Sequence, residues 1–242
     1  MGSAIWALAT AETKLLLRNK TVAVTAILVP LLLGFFMATG IGGSARMWAL
    51  VLSMQVLFVL AFAVYFTATA AVTSRREDLY LKRLCSAEPH PAVVLAGTLL
   101  PAVVLGLLQA TAMIAIAVLA GAPVPGNVVL LIVAVVGGAA MCVAAGLATS
   151  AYTATSEQAQ ITTMPFFLAL FVGGIWAVNA QDSLPALLVP GGAVADLVRR
   201  SLTEGNWFTQ VAGALPAIGM LLVWVVIAGL VARRWFRWEP RS

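Results

Sequence analysis

Residues able to do chemistry are scarce in this chain of 242 residues, and their spacing excludes most enzymes. The single histidine, His90, stands between Pro89 and Pro91 and belongs to no Cys/His ligand cluster. The two cysteines, Cys85 and Cys142, form no CxxC pair and read as free thiols. Lys14, Lys20 and Lys82 follow Thr, Asn and Leu, so no G-x-x-x-x-G-K-[ST] phosphate loop is present. The long apolar stretches carry no ionisable group for a proton- or sodium-coupled carrier. Nor do they pair residues as an intramembrane protease or lipid-modifying enzyme requires. What remains is docking chemistry. In "SRREDLYLKRLCSAEPHP", residues 74–91, Arg75, Arg76, Glu77, Asp78, Lys82 and Arg83 alternate with Leu79, Tyr80, Leu81 and Leu84. That pattern suits a short amphipathic helix parallel to a membrane. A loop that only binds anionic lipid gains nothing from Glu77 and Asp78. A loop that docks into another protein uses both signs, with the apolar ridge as anchor.

The elements that must position this loop follow from where charge is absent. The chain is 62% hydrophobic and 10% charged, with a mean hydropathy of +1.03, whereas soluble domains carry about 25% charged residues. The intervals 21–45, 47–74, 89–156, 158–181 and 205–232 contain no Asp, Glu, Lys or Arg. A spanning helix needs roughly 20 apolar residues, so four intervals fit one helix each. The third, divided by "GAPVPGN" at 121–127, fits two. The expectation is an all-α integral membrane protein, one transmembrane domain over residues 1–242, with six transmembrane helices at 21–43, 47–73, 91–120, 127–151, 160–179 and 210–232. The first apolar run is too long for the core of a removable signal peptide.

Orientation follows from the basic residues, which cytoplasmic loops retain. With the N-terminus inside, Lys14, Arg18, Lys20, Arg75, Arg76, Lys82, Arg83, Arg233, Arg234, Arg237 and Arg241 are cytoplasmic, eleven of the fourteen basic residues. The C-terminus returns to the same side. The pI near 9.8 therefore reads as topology, with no nucleic acid implied. Residues 3–19 form an expected interfacial helix, with Ile5, Leu8, Ala9, Leu15 and Leu16 on one side and Lys14 and Arg18 on the other. Glu12 falls on the apolar side, either turned to the headgroups or in contact with a neighbouring helix end. Between the fifth and sixth spans, residues 181–208 read as an extracellular cap. Its helix "AVADLVRRSL" places Asp196 within reach of Arg199 or Arg200, and its apolar face, Val194, Leu197, Val198 and Leu202, must dip back against the helix ends.

Two faces stand out within the spans. Gln55, Phe58, Phe62, Tyr65, Phe66 and Thr69 fall within about 120° of one another at helical spacing. They line either a path for a greasy substrate or a packing surface. Ala134, Gly138, Cys142, Gly146 and Ser150 recur every four residues, the pattern of a close helix–helix seam.

Taken in order along the chain, "ETKLLLRNK", "SRREDLYLKRLCSAEPHPAVVLAG", "TSEQAQ" at 155–160 and "LPALLVPGGAVADLVRR" resemble the permease subunits of ABC-2 type ABC transporters. The resemblance runs over nearly the whole chain. It implies that the 74–90 loop is the coupling loop that meets a separate ATPase subunit, through Arg75, Arg76, Glu77, Asp78, Leu79, Tyr80, Lys82 and Arg83. The interfacial helix, through Glu12, Lys14 and Arg18, would flank it. Many members have Gly-Thr after the first charged group of this loop, whereas this chain reads Asp78-Leu79-Tyr80. The resemblance further implies an exporter in a bacterial inner membrane, working by alternating access. Its partners would be two ATPase copies, which hold the ATP and Mg, and a second permease copy or a paralogue, all within membrane lipid. This chain would bind no cofactor itself and catalyse no reaction. The path would lie between the second and fifth spans of each copy, at Gln55, Phe58, Phe62, Tyr65, Phe66, Phe167 and Phe171, for a hydrophobic or amphipathic cargo such as a drug, antibiotic or lipid. Two alternatives stand beside it: a non-transporting sensor or scaffold, and an intramembrane enzyme active without nucleotide.

Overall fold

The computed structural model describes residues 10, 32, 34–36, 43–77 and 91–235, and among these it contains helices and turns with no strand. Five of the helices are long and apolar enough to cross a membrane. The expected interfacial helix and nearly all of the expected first span fall outside the described residues, as do residues 78–90 of the loop.

Helix α1, Ala45–Glu77, is 33 residues long. At 1.5 Å per residue it extends about 50 Å, well beyond a hydrocarbon core of about 30 Å. Its length leaves room for the charged last turn outside the apolar layer. Its hydrogen bonding widens to a π-helical stretch at Leu60–Phe66. There the Thr67 hydroxyl donates to the Phe62 carbonyl, five residues back, at 3.0 Å. One extra residue in a turn offsets the following residues by about 100° from an uninterrupted helix.

Helix α2, Pro91–Leu119, ends where Gly121 turns left-handed at φ +106. There the Ala122 and Gly121 amides donate back to Ala117 and Val118, a Schellman closure that only a residue without Cβ enters freely. Asn127 then caps α3, Val128–Ser150, by accepting from the Leu130 amide at 3.2 Å. Helix α4, Ala159–Asn179, is broken at Thr163, ahead of Pro165. After it come the short α5, Leu184–Leu188, then α6, Gly192–Ser201, and α7, Trp207–Trp235.

Helices α3 and α6 form the middle of the bundle: α3 packs on α1, α2, α6 and α7, and α6 on α1, α3, α4 and α7. Val194, Leu197 and Val198 of α6 are fully enclosed. The approach of α6 to α4 depends on "PGG" at 190–192. Gly191 sits at φ +88, and a Cβ there would overlap the Leu170 carbonyl. Helix α1 is mostly buried, whereas the most apolar window of α7 is only 22% buried, so α7 forms the periphery. The small-residue row of α3 meets α1 directly. A Cβ on Gly138 would press on Leu60, and one on Gly146 would lie 3.0 Å from Ala68 Cβ and 3.1 Å from the Tyr65 carbonyl.

Candidate functional site

The last turn of α1 carries the described part of the charged loop, and its side chains part company. Arg75 is half-buried. Arg76 is fully buried and points into the bundle. Its Nη1 donates to the Ser150 carbonyl at 2.9 Å, and its Nη2 donates to the Thr153 carbonyl. Ser150 is the last residue of α3 and Thr153 lies in the turn just beyond it, at the negative end of the helix dipole. Glu77 reaches further along the same connection. Its Oε2 accepts from the Ser156 amide at 2.9 Å and from the Ser156 hydroxyl at 2.8 Å. Ser156 lies three residues before α4, near the end of a helix that favours negative charge. The same turn is tied to α4 by the Thr153 and Thr162 hydroxyls, 2.8 Å apart. Asp78, Leu79, Tyr80, Lys82 and Arg83 of the expected docking set lie outside the described residues, as do Glu12, Lys14 and Arg18.

Farther along α1, the expected aromatic face divides in two. Phe58 and Phe62 stack at 4.4 Å between centroids. Phe62 meets Phe167 edge-on at 5.0 Å, Phe167 meets Phe171 at 4.9 Å, and Phe58 meets Phe171 at 6.4 Å. These four rings close a cluster between α1 and α4, and Phe62 is 40% exposed on the molecular surface. Phe66 is half-buried. Tyr65 and Gln55 face elsewhere. The Tyr65 hydroxyl, fully enclosed, lies 3.0 Å from Thr149 Oγ1 and donates to the Thr163 carbonyl at 3.3 Å. Its ring packs on Phe166. Gln55 donates from Nε2 to the Gly34 carbonyl at 2.8 Å, while its Oε1 has no partner among the described residues. Thr69 donates to the Tyr65 carbonyl and is buried too. The π-helical stretch Leu60–Phe66 accounts for the departure of Tyr65 and Thr69, because its extra residue swings Tyr65 toward α3 and α4, whereas Gln55 lies before it and turns to Gly34 from the edge of the regular helical face. No pattern of residue types announced it.

At the opposite end of the bundle a second polar cluster closes α6. Asp196 is buried and accepts from Arg199 Nη2 at 2.6 Å and from Arg200 Nε at 2.7 Å. The exposed Asp182 also pairs with Arg200. Burial works against the charged form of Arg200, but the hydrogen bond and charge of Asp196, joined by Asp182, outweigh it and raise its pKa. Nearby, Arg46 Nη2 donates to Asn179 Oδ1 at 2.9 Å. The sequence pointed to the Asp196 pairs but not to Asp182, which joins from a turn at φ 59.

Among the described residues no group of three His, Cys, Asp or Glu side chains is placed to hold a metal ion. Small concavities at the Asp196 end are lined in part by charged groups, among them Asp182, Asp196 and Arg200, whereas others are apolar. One of about 660 Å³ lies between α2, α3 and α7, lined by Leu95, Leu107, Val136, Val143 and Leu147, with Arg233 at its edge. The arrangement offers carbonyl-bound cations, a carboxylate on an amide and a cluster of rings.

Compared with known families, residues 3–184 match the family described as ABC-2 type transporter. No curated protein matches the chain. No solved structure matches it.

Proposed function

The chain belongs to the ABC-2 type transporter family, and we propose that it is the membrane permease of an exporter powered by a separate ATPase subunit. In this reading two ATPase copies bind ATP and Mg outside the membrane, and their closure pushes on the 74–90 loops of two permease copies. The push enters α1 at Arg75–Glu77 and is completed by Asp78, Leu79, Tyr80, Lys82 and Arg83 on the ATPase surface. Glu12, Lys14 and Arg18 flank that contact from the interfacial helix. The termini then lie in the cytoplasm of a bacterial cell. Alternating access between the two copies opens a path past Phe58, Phe62, Phe167 and Phe171.

One observation carries the reading. The charged end of α1 is joined by hydrogen bonds to the turn that opens α4, and the same two helices meet again at the ring cluster. A displacement at the loop thus has a continuous packed route to the exposed aromatic face. That face is apolar and partly exposed, which favours a hydrophobic or amphipathic cargo and a second permease copy as its cover. Tyr65 and Gln55, enclosed by their hydrogen bonds, support the path from behind.

Purification from native membranes tests the proposal. The expected result is a P-loop ATPase retained with the chain in roughly equal amounts, in keeping with one motor subunit for each permease copy of a symmetric assembly. Repeated isolation of the intact chain without any such ATPase would overturn it.

A further inference from the structure

We propose that Arg76 and Glu77 are positioning residues that clamp the α3–α4 turn onto the end of α1, so that a push on the coupling loop moves α1 and α4 as one body. The proposal deepens the reading of the 74–90 loop as the ATPase contact and rests on it. It differs in giving these two residues an inward task.

The geometry separates the two tasks. A fully buried guanidinium is expensive to desolvate, and the acceptors it reaches offset that cost. Arg76 directs its fork at the Ser150 carbonyl, which ends α3, and at the Thr153 carbonyl in the turn beyond it. Its neighbour Glu77, turned by about 100° on the helix, takes the amide and hydroxyl of Ser156. The positive side chain thus meets the carbonyl end of α3, and the negative one meets the amide side of the approach to α4. Each sign matches the helix end it touches. The order Arg-Glu is therefore set by the turn it holds. A docking loop that needed only mixed charge would not care which came first. The Thr153–Thr162 hydroxyl pair carries the attachment into α4, and Phe62–Phe167 and Phe58–Phe171 fasten the two helices again farther up. Two levels of attachment between the same pair of helices make them one lever.

The test uses the full chain with its co-purified ATPase in lipid nanodiscs. Glu77→Ala serves as the main variant because Glu77 is only half-buried and its loss leaves no buried charge. Arg76→Lys keeps the charge and removes the fork. Hydrogen exchange is followed at the Ser156 amide. Transmission is read by trapping the complex with ATP and vanadate and measuring maleimide labelling of Leu168→Cys, on the exposed side of α4, in a Cys85→Ser background. The expected result for Glu77→Ala is exchange at Ser156 faster by about tenfold, the factor expected for loss of one charge-assisted hydrogen bond. The trapping-induced change at Leu168→Cys, compared between equally trapped complexes, should be lost. Arg76→Lys should also weaken that change, since one ammonium cannot span both carbonyls. Unaltered Ser156 exchange in Glu77→Ala would overturn the clamp. Faster exchange with an intact Leu168→Cys response would overturn the single lever. A parent complex that contains no ATPase would overturn the functional reading and the transmission with it, and it is recognised because the change in Ser156 exchange persists.

Discussion

Arg76 and Asp196 show how a largely apolar chain handles buried charge, by two different routes. Arg76 donates to the carbonyls of Ser150 and Thr153, whereas Asp196 is paired with two arginines within one turn of its own helix. Asp196→Asn should therefore be costly, about 3 kcal/mol or more, because two largely enclosed guanidinium groups lose their shared counter-charge. Asp182→Asn should cost less than about 1 kcal/mol, since the Asp182 side chain is 71% exposed and its pairing is screened. Chemical unfolding of both variants in detergent separates the two outcomes. Tyr65→Phe keeps the ring against Phe166 and removes only the hydroxyl that meets Thr149 and Thr163. A loss of about 1 kcal/mol is expected in the same assay. At this scale the sequence was least informative. Arg75 and Arg76 are identical letters side by side, yet one is half-buried and the other enclosed. Which of two neighbours turns inward depends on where the end of α3 happens to lie, and that is a tertiary fact. Ser156 belonged to a stretch already singled out, but nothing in its type marked it as the seat of Glu77.

The helices themselves were far more legible, because the bilayer admits few solutions to a long uncharged run. The break at "GAPVPGN" falls where Gly121 closes α2 and Asn127 opens α3, and each of those residues has a local physical reason to be there. The row Ala134, Gly138, Cys142, Gly146 and Ser150 is buried throughout, and two of its glycines admit α1 to close range. What periodicity could not anticipate is a change of period. The stretch Leu60–Phe66 breaks the 3.6-residue rule on which the six-residue aromatic face was drawn, so Tyr65 and Thr69 leave the face that Phe58 and Phe62 keep. The pair Gly173–Gly174 has no periodic signature, yet a Cβ on Gly174 would strike Leu57 and Met54 of α1 and one on Gly173 would overlap the Pro190 carbonyl. Glycines at such approaches should resist substitution in proportion to what they face. Gly191→Ala combines a left-handed backbone with overlap on the Leu170 carbonyl, so a loss of about 2 kcal/mol or more is expected. Gly219 in α7 has nothing within 4 Å of its Cβ position, so Gly219→Ala should be neutral or slightly stabilising through helix propensity. Thermal unfolding of the two variants in the same detergent makes the comparison.

For the molecule as a whole, the division of labour matches the distribution of polarity. The described polar side chains with partners gather at the two ends of the bundle, while its middle is apolar apart from a few enclosed groups such as Gln55 and Tyr65. One end, at α1, α3 and α4, is built from charges that grip backbone groups; the other, at α6, from charges that grip one another. In the proposed reading a separate motor drives the bundle from the first of these ends. Membership of the ABC-2 type transporter family over residues 3–184 gives that asymmetry a purpose. Cys85 lies in the middle of the loop proposed to meet the motor, and the other cysteine, Cys142, is fully buried. A benzophenone maleimide placed on Cys85 in the membrane-derived complex therefore reports on that contact directly. Irradiation should join the permease to a P-loop ATPase subunit, and replacing Cys85 by serine should abolish the adduct. An ATPase present in the complex but never joined through Cys85, or a Cys85 thiol that reacts from the extracytoplasmic face of intact cells, would contradict the account.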